Sequence, residues 1–226
     1  MPITTLLLDV GGTLVTPNFE RIAAEYAADG VLVEAGVLER AEGEARLASD
    51  RGDGVRRHAD VWLSYMLNIA HYAGVERPPV AAFERLRSYH DTTNLWECVI
   101  EGTEAALGAL ARRYRLGIVS NANGTVRRKL ERVGLGHFFE IVVDSAEEGI
   151  EKPDARLFQL ALARLGAQAE HAAYVGDMFK VDVVGALAAG LHPILIDPRG
   201  VHADKTCDRV AVLAEVEAVL ERTRLD

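Results

Sequence analysis

The sequence predicts a doubly wound α/β fold, a parallel sheet flanked by helices, with an α-helical domain inserted near its start. Three observations carry this prediction. Ile3 to Leu8 is an apolar, β-friendly run that stops abruptly at Asp9-Val10-Gly11-Gly12-Thr13. From Gly102 onward, helix-like and strand-like segments alternate. Between Thr16 and Glu97 the periodicity is helical and no convincing strand occurs.

The elements follow in order. The first strand is Ile3–Leu8. In the inserted region, Phe19, Ile22, Ala23, Tyr26 and Ala27 fall at helical spacing, as do Val61, Trp62, Tyr65, Met66, Ile69 and Tyr72. Leu38–Leu47 and Val80–Tyr89 read as two more helices, with Pro78-Pro79 breaking the chain before the last. The second half predicts helix Thr103–Tyr114, strand Leu116–Ser120, helix Thr125–Val133 and strand Phe139–Asp144. Helix Ala155–Leu165, strand Ala173–Asp177, helix Val181–Ala189, strand Pro193–Asp197 and helix Ala214–Thr223 complete it. The predicted core is therefore residues 1–15 and 98–226, and the predicted cap is 16–97.

Composition narrows the function classes. The chain has 226 residues, 49% of them hydrophobic, and a net charge of −9. That is a globular composition with enough length for a core that needs no disulfide staples. Cys98 and Cys207 have no Cys or His at metal-ligand spacing, which argues against structural zinc and for reduced thiols. The acidic balance argues against nucleic acid as a partner. The basic run Arg127, Arg128, Lys129 and Arg132 reads as a solvated helix face. The longest uncharged stretch, Val183–Ile196, is too short to span a membrane, and no basic segment precedes the first apolar run. The expectation is a cytoplasmic protein with no membrane partner; oligomeric state is not legible.

Four predicted strands end in polar residues: Asp9, Ser120, Asp144 and Asp177. Parallel strands deliver such residues to one crevice. Nearby lie Gly11, Gly12, Thr13, Asn121, Lys152-Pro153, Gly176 and Asp182. Neighbouring carboxylates repel unless a cation separates them, and oxygen donors without His or Cys suit a hard ion such as Mg²⁺. A lysine and exposed backbone N–H groups then suit a phosphate.

In order, Asp9-Val10-Gly11-Gly12-Thr13-Leu14, Ser120-Asn121, Lys152-Pro153 and Gly176-Asp177 with Asp182 resemble the four motifs of the haloacid dehalogenase superfamily of hydrolases. The resemblance spans the whole chain, including an α-helical (C1-type) cap after the first motif. It implies a Rossmann-like core and a Mg²⁺-dependent hydrolase of a small phosphorylated substrate. Asp9 would be the nucleophile that becomes an aspartyl phosphate. Ser120 and Lys152 would assist catalysis and, with Gly12, Thr13 and Asn121, bind the phosphoryl group. Asp9, the Gly11 carbonyl and Asp177 would bind Mg²⁺, and Asp182 would either join them through water or orient them.

One position departs from the pattern. Phosphatases of this superfamily usually carry a second Asp two residues after the nucleophile, as general acid and base. Here that residue is Gly11. Such a group is worth roughly 10²–10⁴-fold. Dehalogenases of the superfamily also lack it, but they lack the metal-binding Asp too, whereas Asp177 and Asp182 are present. Phosphonate-cleaving members need a cap lysine; this chain's lysines, Lys129, Lys152, Lys180 and Lys205, all lie outside the cap. A replacement acid is sought among His58, Asp60, His90, Asp91 and Glu97. Otherwise the substrate's leaving group needs no proton, or the protein binds phosphate without turning it over. Trp62 and Trp96 read as packing residues before substrate contacts. The cap region holds fourteen acids and nine arginines. It therefore gives an anionic substrate no long-range steering, although Arg21, Arg56 or Arg57 could contact one locally.

Overall fold

A computed structural model describes residues 2–51 and 61–223. The strands are β1 (Thr5–Leu8), β2 (Val15–Pro17), β3 (Trp96–Val99), β4 (Arg115–Ser120), β5 (Ile141–Asp144), β6 (Ala172–Gly176), β7 (His192–Ile196) and β8 (Asp208–Val210). The helices are α1 (Phe19–Ala28), α2 (Ala35–Arg51), α3 (Val61–Tyr72), α4 (Val80–Thr92), α5 (Thr103–Leu110), α6 (Val126–Arg132), α7 (Ser145–Glu148), α8 (Ala155–Leu165), α9 (Val184–Ala188) and α10 (Val216–Thr223). The chain forms two compact units, Met1–Thr16 with Glu97–Asp226, and Pro17–Trp96.

The larger unit is built on a six-stranded sheet in the order β5-β4-β1-β6-β7-β8, parallel throughout. The chain winds outward from β1 to β4 and β5, then returns to the other side of β1 for β6. This reversal makes the C-terminal end of β1 the switch point, where an open α/β sheet leaves a crevice. Strand periodicity sends Leu7, Val119, Val143 and Tyr174 to one face, packed with Leu157, Phe158 and Ala161 of α8. Leu6, Leu8 and Ile118 are equally buried on the opposite face. The fold is the doubly wound parallel α/β class predicted from the sequence. Helix α8 is set by its ends: Asp154 caps the Arg156 N–H, and Gly166 closes it at φ 60°.

The smaller unit packs α1–α4 around Ile22, Tyr26, Leu38, Met66, Ile69, Phe83 and Leu86. Asn18 caps α1 by accepting the Arg21 N–H at 2.9 Å. Trp62 and Trp96 are half-buried against this core, Trp96 with its ring 5.3 Å from Tyr65 and 5.4 Å from His90. Tyr26 is fully buried, edge-on to Phe83 at 5.9 Å, and its hydroxyl has no hydrogen-bond partner among the described residues. A buried donor left unpaired costs free energy. Tyr26→Phe is therefore expected to stabilise the protein by about 1 kcal/mol in chemical denaturation; a loss of stability would show that the hydroxyl has a partner.

The structure departs from the predicted elements in short pieces. β2 and β3 pair as a two-stranded ribbon, and β8 adds a sixth strand. These runs of three or four residues are too short for a period to register. The helix after Asp177 opens as a π-helical turn over Phe179–Val183, and α10 is preceded by a 3₁₀ turn at Leu213–Glu215. Among the described residues no helix is long and apolar enough to cross a membrane.

Candidate active site

Asp9 lies one residue beyond Leu8, which is level with Ile118 of β4 and Val175 of β6. Its N–H continues the ladder to the Val175 carbonyl at 2.9 Å. The chain then turns. Gly12 has φ 77°, a left-handed conformation that glycine adopts without strain. The turn is closed by Gly12 N–H to Val15 O at 2.8 Å and Leu14 N–H to Val10 O at 2.9 Å. The Gly11 carbonyl accepts no hydrogen bond from the described residues. The Thr13 hydroxyl is buried with no partner among them.

Lys152, on the loop before α8, organises the carboxylates. Its ammonium donates to Asp9 Oδ1 at 2.8 Å, Asp182 Oδ1 at 2.7 Å and the Tyr174 hydroxyl at 2.7 Å. An ammonium has three N–H donors, and all three are engaged. Lys152 is 4% exposed. Burial alone would lower its pKa, but Asp182 and Asp9 more than reverse that, and it stays protonated. At Asp9 the balance is opposite. Burial is the largest influence and raises its pKa, opposed by Lys152 and reinforced by the negative charge of Asp182. Both pKa values move up, Lys152 because it faces two carboxylates that outweigh burial, Asp9 because burial and one like charge outweigh its one cation.

Asp182 is held from every side. Oδ1 accepts from Lys152 and is 3.1 Å from the Tyr174 hydroxyl; Oδ2 accepts the N–H groups of Asp177 at 3.1 Å and Met178 at 2.9 Å. These contacts fix Lys152 and the backbone that carries Asp177. Asp9, Asp177 and Asp182 each bring a carboxylate oxygen within 4.8 Å of the others. Three carboxylates against one ammonium leave two negative charges in a largely buried cluster. Hard oxygen donors and that deficit fit a divalent cation, which Asp9, Asp177 and the Gly11 carbonyl could hold.

Asn121 was expected among the phosphate ligands. Its side chain clamps the lysine loop: Oδ1 accepts the Lys152 N–H at 2.7 Å, and Nδ2 donates to the Lys152 carbonyl at 2.9 Å. Ser120 is buried at the end of β4, level with Asp144. Asp144 accepts the N–H groups of Gly124, Val126 and Ala146, so it pins the loop after β4.

Two residues escaped the sequence reading. Tyr174 supplies the hydroxyl that completes the Lys152 shell and also donates toward the Val119 carbonyl at 2.9 Å. Burial raises its pKa well above the ordinary phenol value, and Asp182 and Asp9 add to the effect. A tyrosine inside a buried strand needs a partner for its hydroxyl, and that was the available signal. Lys129 was assigned to a solvated helix face. Arg127, Arg128 and Arg132 are exposed, but Lys129 is only 4% exposed, beside Val126 and Leu130 on the inner face of α6.

Three of the five candidate replacement acids, Glu97, Asp91 and His90, have other partners. Glu97 pairs with Arg132 at 3.0 Å. Asp91 pairs with Arg87 at 3.4 Å on an open surface. His90 Nδ1 accepts the Leu95 N–H at 3.3 Å and its ring packs on Trp96. Arg21 stacks over Tyr89 at 3.7 Å. His58, Asp60, Arg56 and Arg57 lie outside the described residues.

Gly176 explains how Asp182 fits. A Cβ there would lie 2.5 Å from Asp182 Oδ2 and 2.6 Å from its Cβ. Only glycine lets the Asp182 side chain lie against the strand. Gly176→Ala is expected to displace Asp182 and Lys152, reducing kcat by about 10²-fold with a smaller loss of stability; unchanged kinetics would show that the network tolerates the shift.

Residues 3–190 match the haloacid dehalogenase-like hydrolase family. The chain is 30% identical over 210 residues to the glyceraldehyde 3-phosphate phosphatase of Methanothermobacter thermautotrophicus, covering 90% of this chain and 89% of that protein. It is 32% identical to haloacid dehalogenase-like hydrolase domain-containing protein 3 of Bos taurus, covering 87% and 82%. Among solved structures, the HAD-hydrolase YfnB of Bacillus subtilis, bound to magnesium, superposes with a TM-score of 0.71. It is 21% identical, over 97% of this chain and 99% of that one. Motif residues gathered at the switch point of a doubly wound sheet, with a family match over most of the sequence, lead to one conclusion: the chain belongs to the haloacid dehalogenase-like hydrolases.

Proposed function

We propose that the protein is a Mg²⁺-dependent phosphatase of a small phosphorylated metabolite, working through an aspartyl phosphate on Asp9. The carrying observation is the carboxylate cluster of Asp9, Asp177 and Asp182, with Lys152 bridging Asp9 and Asp182. The phosphatase name of the 30%-identical relative supports the substrate class. Asp9 is oriented by Lys152 through Oδ1, which leaves Oδ2 to attack phosphorus. Lys152 and Asp182 fix that orientation, and Ser120 and Thr13 supply hydroxyls for the phosphoryl oxygens. Mg²⁺, when bound by Asp9, Asp177 and the Gly11 carbonyl, would neutralise charge on the transferring group. Residues 16–97 are read as the cap whose side chains select the substrate.

Gly11 shapes the expected specificity. Without a carboxylic acid at that position, the leaving group departs unprotonated or takes its proton from the substrate, from solvent or from an acid elsewhere in the chain. Acyl phosphates and other esters of acidic leaving groups are then the favoured substrates. The test is phosphate release across a panel of phosphomonoesters and acyl phosphates, with and without EDTA. The reading expects release that EDTA stops and that increases with leaving-group acidity. Absence of release from every substrate, with inorganic phosphate still bound, favours instead a phosphate-binding member that lost turnover with the second acid.

A further inference from the structure

Lys152 cannot serve the phosphoryl group without giving up a partner, because its three donors are engaged by Asp9, Asp182 and Tyr174. The charge at the site is also incomplete. Three carboxylates, Lys152 and one divalent cation sum to zero, and a phosphate monoester dianion then brings two uncompensated negative charges. Lys129 is 4% exposed, and its ammonium makes no hydrogen bond or ion pair with any described residue. The side chain is almost wholly buried, while its ammonium is not sealed from solvent and has no partner among the described residues, so it is open to an anion.

Its place in the fold indicates where that anion sits. Lys129 lies one turn into α6 on the inner face shared with Val126 and Leu130. Helical side chains lean toward the helix N-terminus, here toward the loop that leaves β4 after Ser120. Burial lowers its pKa to about 8, and Asp9 is the largest opposing influence, ahead of Asp144. Asp144 is the alternative partner, but its oxygens already accept the N–H groups of Gly124, Val126 and Ala146.

We propose that Lys129 is the cation that binds the phosphoryl group of the substrate and the phosphate product, while Lys152 holds the carboxylates in place. The proposal rests on the phosphatase reading above. The test compares wild type, Lys129→Met and Lys129→Arg with Mg²⁺ present, using the best substrate of the panel and inorganic phosphate as inhibitor. Lys129→Met is expected to raise KM and the inhibition constant of phosphate together, by about 10–100-fold, with a smaller change in kcat. Lys129→Arg should recover most of the loss. The thermal midpoint of Lys129→Met should hold or rise, because a charge that burial disfavours is removed. Unchanged KM and phosphate inhibition would overturn the proposal, whether or not the midpoint falls. So would a loss confined to kcat. If the wild type turns nothing over, the phosphatase reading fails by itself, and calorimetric titration with inorganic phosphate decides on Lys129. Binding that weakens in Lys129→Met supports it; equal binding, or none to the wild type, overturns it.

Discussion

Asp9→Asn is expected to abolish phosphate release, by at least about 10³-fold, without unfolding the protein. An amide is isosteric with the carboxylate but cannot attack phosphorus. The variant separates two roles that Asp9 combines. As a structural group, Asp9 is a buried acid whose charge is disfavoured first by burial and further by Asp182, with Lys152 in opposition. Removing its charge leaves Lys152 matched one-to-one with Asp182 at 2.7 Å. In cation-free buffer the thermal midpoint of Asp9→Asn is therefore expected at or above that of the wild type. Addition of Mg²⁺ should stabilise the wild type more, because the variant has lost one negative ligand. Retained turnover in a correctly folded variant would remove Asp9 from the nucleophile's position. A large drop in stability would mean that Lys152 depends on the Asp9 charge more than on Asp182.

The site was legible in sequence to the extent that chemistry follows strand ends. Asp9, Ser120 and Asp177 each terminate or follow a run of buried apolar residues, and the parallel order brings them together. Roles decided by side-chain direction were not legible. The sequence shows Asn121 beside Ser120 but not that its amide is engaged by the Lys152 backbone. It shows Asp182 five residues after Asp177 but not the π-helical turn that swings its carboxylate back over Gly176. Lys129 was hidden by its company, since three exposed arginines on one short helix suggest solvent. The spacing Val126, Lys129, Leu130 does mark an inward face, and a lysine in that pattern deserved the question of what it meets. The short strands β2, β3 and β8 carry too few residues for alternation, and pairing with neighbours defines them.

Lys152→Met is expected to cost about 3–5 kcal/mol of stability as well as activity, and it tests whether the site is held together by charge. The methionine keeps the volume and removes the cation. Asp9 and Asp182 would then share a buried pocket as like charges, and the Tyr174 hydroxyl would lose its 2.7 Å donor. Either carboxylate can escape only by taking up a proton or admitting water. Two further measurements identify the cause. Mg²⁺ should recover stability in the variant to a greater degree than in the wild type, because the ion replaces part of the missing positive charge. The double variant Lys152→Met with Asp182→Asn should be more stable than Lys152→Met alone, since the second change removes one repelling charge although it deletes another polar contact. Catalysis should return in neither case, because no remaining group fixes the orientation of Asp9. Were Lys152→Met as stable as the wild type, the carboxylates would not both be ionised in the folded protein. The divalent-cation site would then lack the charge deficit that supports it.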